Sequence, residues 1–199
     1  MLPFYIITAV TLPTWGIGYQ GYLPWTRVQE DLTYFKQKTS HSFIIMGRKT
    51  WDSFQGKMLP NRIHVVLTRS NYKEDKDNLH FVSSFVDAME WIEKYTKEEK
   101  NVFVIGGESI YREAIVCHSE FCKAIYITNI IALSFIPSDA YFPRKDMIQA
   151  GFRPIKGEEE KDGDEKIVHA CKNVPYCYYQ FTTWGKERVV NSEYTKERK

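Results

Sequence analysis

Val102-Phe103-Val104-Ile105-Gly106-Gly107-Glu108-Ser109 passes from an apolar, β-branched run through a glycine pair into the helix-like segment Ile110 to Ile115. A strand-to-helix junction of this form leaves the first helical N–H groups without partners, and glycine lets an anion approach them. Phe43 to Met46 leads in the same way into Gly47, Arg48, Lys49 and Thr50. Either junction alone reads as a plain turn. Together, with Arg48, Lys49 and Arg69 close by in sequence, they point to a nucleotide whose pyrophosphate spans both. There is no GxGxxG, and the GRKT run lacks the upstream glycine and the Gly-Lys order of a P-loop, which argues against an ATPase.

Outward from these junctions, short β-rich runs recur at Phe4 to Val10, Ile63 to Leu67 and Ala124 to Ile130. Helix-like segments separate several of them, the alternation expected of a mainly parallel α/β sheet. In the clearest helix, Phe85 to Tyr95, the residues Phe85, Met89, Ile92 and Tyr95 share one face, and Ser84 with Asp87 resembles a capping box. Lys156 to Lys166 reads as a solvated charged loop, and Cys177 to Trp184 as part of an antiparallel hairpin at the sheet edge. Tyr176, Tyr178, Tyr179 and Phe181 alternate between faces, which suits an edge strand better than a stacking platform for nucleic acid. His64 is expected to be a packed or edge histidine, and no metal is assigned.

Two segments between the first strand and Phe43 bear on chemistry. Gly16-Ile17-Gly18, with Gly21, reads as a loop able to close over a reactive centre, although glycines in a long turn commonly serve backbone geometry alone. Thr26 to Thr39 reads as an amphipathic helix. At about 100° per residue from Val28, Leu32 and Phe35 fall within about 40° and Asp31 about 60° away on the same side, whereas Glu30 falls roughly 160° away. A carboxylate on an apolar face is either a boundary residue paired with a base or a candidate acid, base or ligand-binding group.

The chain has 199 residues, a formal charge of +2, 43% hydrophobic and 26% charged residues. That balance builds one core without disulfides or metals and gives no reason to expect a nucleic-acid surface. Cys117, Cys122, Cys171 and Cys177 fit no zinc or CxxC spacing and are expected as reduced thiols, so the expected location is cytoplasmic. The apolar start, Met1 to Val10, lacks a basic leader and reads as a buried strand. No apolar run approaches the roughly 20 residues of a membrane helix.

The motifs IITAV, GIGYQGYLPW, EDLTYF, IIMGRKTWDSF, LPNRIHVVLTRS, VFVIGGESIY, IYITNI and SDAYFP follow one another between Ile6 and Trp184. In this order and spacing the chain resembles dihydrofolate reductase over nearly its whole length. The resemblance implies an α/β single domain, residues 1–185, with an eight-stranded, mostly parallel twisted sheet, a C-terminal antiparallel hairpin and flanking helices. Residues 186–199 would be a polar tail or the start of a linker, as to a fused thymidylate synthase. It implies NADPH as cofactor, and dihydrofolate and antifolate inhibitors as ligands. A monomer is expected, and neither membrane nor nucleic acid is expected as a partner.

The resemblance also implies roles. Asp31 would bind the pterin amino group and N3 while hydride reaches C6 and N5 gains a proton through water, with Thr128 hydrogen-bonded to the acid. Leu23 and Phe35 would pack on the folate, inside a pocket that includes Ile7, Thr8, Ala9, Ser53, Phe54, Leu59, Ile105 and Tyr111. Arg62 would pair with the α-carboxylate as a bidentate fork. On the cofactor side, Ala9 and Ile17 would flank the nicotinamide. Gly47, Arg48, Lys49 and Thr50, together with Gly106, Gly107, Glu108, Ser109, Ile110 and Tyr111, would line the phosphates, the glycine pair joined by a cis peptide. Leu67, Thr68 and Arg69 would surround the 2′-phosphate with Arg48.

The chain departs from the family pattern at Lys57-Met58, where relatives carry an arginine or proline, at Phe54 in place of isoleucine, and at Ser84 in place of an arginine. Pro13 would stiffen the start of the glycine loop. The alternatives are an NADPH-dependent pyrimidine reductase of riboflavin biosynthesis, which would not be expected to carry Trp25, Asp31 and Phe35 together, and a non-catalytic nucleotide-binding relative, which could lose Asp31 and Arg62.

Overall fold

The computed structural model describes residues 1–70, 77–95, 100–155 and 169–186; the charged run Lys156 to Lys166 and the tail beyond Lys186 lie outside the described residues. The elements in chain order are β1 (Phe4–Thr11), β2 (Gly16–Gly18), α1 (Gln29–Thr39), β3 (Phe43–Gly47), α2 (Arg48–Ser53), β4 (Ile63–Leu67), β5 (Leu79–Val82) and α3 (Phe85–Tyr95). They continue as β6 (Val102–Gly106), α4 (Glu108–His118), β7 (Cys122–Ala132), β8 (Ala140–Tyr141), α5 (Arg144–Gln149), β9 (Phe152–Ile155), β10 (His169–Ala170) and β11 (Cys177–Lys186).

One sheet holds the strands in the order β10-β11-β7-β1-β6-β3-β4-β5, eight along the main path, with β2, β8 and β9 attached beside it. Neighbours from β7 through β5 run parallel, while β11 is antiparallel to β7. The central strands are buried on both faces, which is why β6 reads as an unbroken apolar run and β4 is buried at every position, His64 included, rather than alternating. Side chains of successive residues still divide between faces. Ile6, Phe43, Ile45, Val65 and Val104 join Phe85, Met89, Ile92 and Ile115 in one core. Ile7, Ile44, Met46, Val66, Phe103 and Ile105 face the other way toward Trp51, with Phe35, Phe54 and Leu59 only half-buried against them. This second face is covered less completely than the first.

Several expectations change in detail. α1 begins at Gln29, not Thr26, because Val28 is extended (φ −97°, ψ 111°) and serves as the N-cap. The Asp87 N–H does bond Ser84 Oγ, at 3.0 Å, as a capping residue should. Tyr95 leaves the buried face of α3: it is half-exposed and stacks on Trp91. The β10–β11 hairpin stands at one edge of the sheet, as expected, but β11 itself is not the edge strand. β11 has β7 on one side and β10 and β9 on the other, so Tyr178, Tyr179 and Phe181 belong to an internal strand. Its half-polar pattern reflects cover from two short strands, a long-range pairing that local alternation does not encode. No helix among the described residues is long and apolar enough to cross a membrane.

Candidate active site

Parallel strands in an α/β sheet end on one side, where the following helices start, and ligands in such folds bind outside those strand ends. β3 and β6 are neighbours there, with Met46 opposite Gly106. A Cβ built on Gly47 would lie 3.1 Å from Ile110 Cγ1, and one on Gly107 would lie 3.3 Å from Thr50 Oγ1, so the two junctions touch. Gly106 has φ +120°, a backbone that other residues rarely adopt, and the Gly106–Gly107 peptide is cis. The N-caps of α2 and α4, Gly47 and Gly107, make no side-chain cap bond. Their first-turn N–H groups therefore have no capping side chain in front of them. Arg48, Lys49, Ser109 and Arg69 are exposed around this floor, Thr68 is half-buried, and Leu67 lies beneath. Arg48 Nη2 is 3.5 Å from Asp52 Oδ2. Ser84, where an arginine would have strengthened the cationic rim, is spent on capping α3.

The facing wall comes from α1, β1 and β7. Ala9 pairs with Thr128 across β1 and β7, and α1 lays Asp31 beside Thr128. Asp31 is only 9% exposed. Burial pushes its carboxyl from 3.8 up to about 6, and the hydrogen bond with Thr128 pulls it part of the way back. Glu30, its neighbour, instead reaches outward and accepts the Lys172 N–H at 3.4 Å. Tyr111 is buried, and its hydroxyl donates to the Ile7 carbonyl at 2.9 Å, tying α4 to β1. Ile7, Thr8 and Ile105 are buried in the floor, whereas Ala9 and Ile17 are half-buried. Leu23 is 53% exposed and lies outside the packed clusters.

Arg62 shapes the far end. Its Nε donates to Thr39 Oγ1 at 2.8 Å, Nη1 to the Pro60 carbonyl at 3.1 Å and Nη2 to the Lys36 carbonyl at 3.4 Å. Three of five guanidinium donors are thereby fixed, leaving one N–H on each terminal nitrogen, the fork that a carboxylate accepts. The group lies over the Phe35 ring at 5.6 Å. Ser53, Phe54 and Leu59 are half-buried along the same rim.

Two parts of the arrangement have no counterpart in the sequence reading. His64 is fully buried, as expected of a packed residue, yet its Nε2 accepts the Leu59 N–H at 2.9 Å. The proton then sits on Nδ1, 3.1 Å from the Asn78 carbonyl, and burial lowers the ring's pKa, so a neutral histidine fixes the rim loop. The glycine loop is braced by the segment around β8. Asp139 N–H donates to the Gly18 carbonyl, Phe142 N–H to that of Trp15, and Asp139 Oδ2 accepts the Gln20 N–H. Tyr141 N–H in turn donates to Glu108 Oε2 at 2.9 Å, joining the brace to the start of α4. Strands of two and three residues are too short to show a period. The Leu12–Pro13 peptide in that loop is also cis.

Comparison with known proteins agrees with this geometry. The chain is 38% identical to a dihydrofolate reductase of Candida albicans over 92% of its own length and 96% of that protein's. It is 36% identical to the dihydrofolate reductase of Bos taurus over 88% of its length and 95% of the relative's. A bifunctional dihydrofolate reductase-thymidylate synthase of Daucus carota matches at 36% identity over 97% of the chain, which spans 36% of that longer protein. Residues 4–178 match the family described as dihydrofolate reductase, and the chain belongs to it.

Proposed function

We propose that this chain reduces 7,8-dihydrofolate to 5,6,7,8-tetrahydrofolate with NADPH. The observation that carries the reading is a buried acid, Asp31, near enough to Tyr111 to act on its hydroxyl, while the Tyr111 ring lies against Gly106 at the two abutting glycine junctions. The floor suits a dinucleotide. Side chains at Gly47 and Gly107 would close the gap between the junctions, and the uncapped helix starts favour anions. Gly47 to Thr50 and Gly106 to Ile110 would hold the pyrophosphate, and Arg48, Thr68 and Arg69 the 2′-phosphate. NADPH, when bound, supplies the hydride that the pterin C6 receives.

The chain's own residues would do the rest. Asp31 holds the pterin through its amino group and N3, and Thr128 fixes the carboxylate's orientation. With a pKa of about 6, the acid sits near neutrality and favours the protonated ring, water delivering the proton to N5. Ile7, Ala9, Leu23, Phe35, Phe54 and Leu59 give apolar surface to the folate, and Arg62 binds its α-carboxylate. The brace around β8 holds the glycine loop so that closing it excludes water.

The test is the loss of NADPH absorbance when dihydrofolate is added to the purified chain, run in parallel with NADH and with the Asp31→Asn variant. Oxidation that requires dihydrofolate, prefers NADPH and fails in the variant is the expected result. Tight NADPH binding without any oxidation would overturn the proposal.

A further inference from the structure

Cys171 and Cys177 close the end of the β10–β11 hairpin. The register pairs His169 with Tyr179 and Ala170 with Tyr178, and one step further sets Cys171 opposite Cys177. The Cys171 N–H donates to the Cys177 carbonyl at 2.8 Å. Residues facing each other across antiparallel strands have Cα atoms about 4.5 to 5.5 Å apart, inside the range that a disulfide bridges. Both side chains point into one apolar nest with Trp25, Val28 and Ile130, and their sulfurs lie 3.0 Å apart as free thiols. Closing that gap to a bond of about 2.0 Å requires no rearrangement of the strands. The other two cysteines have no such arrangement: Cys117 is exposed and Cys122 is buried at the start of β7.

We propose that Cys171 and Cys177 are a disulfide-forming pair, oxidised by thiol–disulfide exchange with a low-molecular-weight disulfide such as oxidised glutathione. One cysteine gives its proton to solvent and, as thiolate, attacks a sulfur of the small disulfide; that S–S bond breaks and the first small thiol leaves with the electron pair. Burial pushes the Cys171 thiol up to about 12, so this attack speeds up as pH rises. The second cysteine gives its proton to solvent, attacks the protein-bound sulfur and expels the second small thiol. Two protein thiols are oxidised and one small disulfide is reduced to two thiols. Excess small thiol runs the exchange backward.

The bond would lock a turn that already touches the substrate wall. The Lys172 N–H meets Glu30, next to Asp31, while Trp25 and Val28 lead directly into α1. The closed loop is short, so the expected gain is modest, a rise in Tm of about 5 °C.

The experiment treats the full purified chain with oxidised glutathione, then maps peptides by mass without reduction and records thermal unfolding before and after dithiothreitol. The expected product carries a Cys171–Cys177 link with the loss of two hydrogens, has Cys117 outside that link either free or as a glutathione adduct, and melts higher until reduced. Cys171→Ser and Cys177→Ser should each abolish the shift. Persistent glutathione adducts on either cysteine, a bridge to Cys117 or Cys122, or no oxidation of the pair under conditions that modify Cys117 would each overturn the proposal.

Discussion

Asp31, Thr128, Arg62 and Thr39 are each no more than 9% exposed and are held by one another or by backbone, whereas Arg48, Lys49 and Arg69 stand in solvent around a floor of glycine backbone. The wall proposed for the substrate is therefore part of the core, and its polar groups are fixed without any ligand. The floor proposed for the cofactor contributes backbone N–H groups and surface charge that cost the fold little. The contrast teaches where a substitution should be felt: in stability, protonation and turnover on the wall, and in affinity and salt dependence on the floor.

The largest expected effect comes from Asp31→Asn, which keeps volume and removes charge. Turnover of dihydrofolate should fall by on the order of 100-fold or more, with NADPH affinity within about twofold of the parent by fluorescence titration. An equal loss of cofactor binding would break the division between wall and floor. Next is Arg62→Leu. Losing a charge-assisted fork should raise KM for dihydrofolate roughly 10- to 100-fold while the hydride step, read from single-turnover rates, changes little. An unchanged KM would mean that another cation takes the carboxylate.

The same wall has a signature in stability. Asp31 ionises at about 6 in the folded chain against 3.8 for the ordinary side chain. A raised carboxyl contributes stability fully present below 3.8 and lost as pH rises through about 6, so at pH 8 the buried charge is a net cost. Asp31→Asn removes it and should be the more stable protein at pH 8, by on the order of 3 kcal/mol. The advantage should shrink as pH falls through 6 and vanish near 4, as read by urea unfolding across that range. A variant less stable than the parent at pH 8 would show that the carboxylate's hydrogen bonding outweighs its desolvation.

How much of this was legible in the sequence follows from the range of the interactions. β3, β4, β6, α3 and the choice of Asp31 over Glu30 rest on periods contained in a few residues, and they could be read directly. The fork proposed for Arg62 and the partnership of Asp31 with Thr128 were reached only through resemblance, because Thr39, Pro60 and Thr128, which hold these groups, come from separate elements. What escaped both routes depends on contacts between short or distant segments. These are β8 bracing the glycine loop, His64 accepting the Leu59 N–H, and two cysteines that no spacing rule pairs until β10 folds back on β11.

The smallest expected effect sharpens the floor side of the comparison. Arg48 and Asp52 are an i, i+4 pair at 3.5 Å, each with nearly half of its side chain exposed, and such pairs contribute little to stability. If Arg48 receives the 2′-phosphate of NADPH, Asp52 competes for its guanidinium and places a negative charge near an anion. Asp52→Asn should then tighten NADPH binding about two- to threefold at low ionic strength, with the gain fading as salt screens the pair. NADH, which has no 2′-phosphate, should bind the two proteins alike, and unfolding midpoints should coincide. A matching gain for NADH would mean that Asp52 acts on the pyrophosphate and not through Arg48. A marked fall in stability would mean that the Arg48–Asp52 pair helps to hold the floor together.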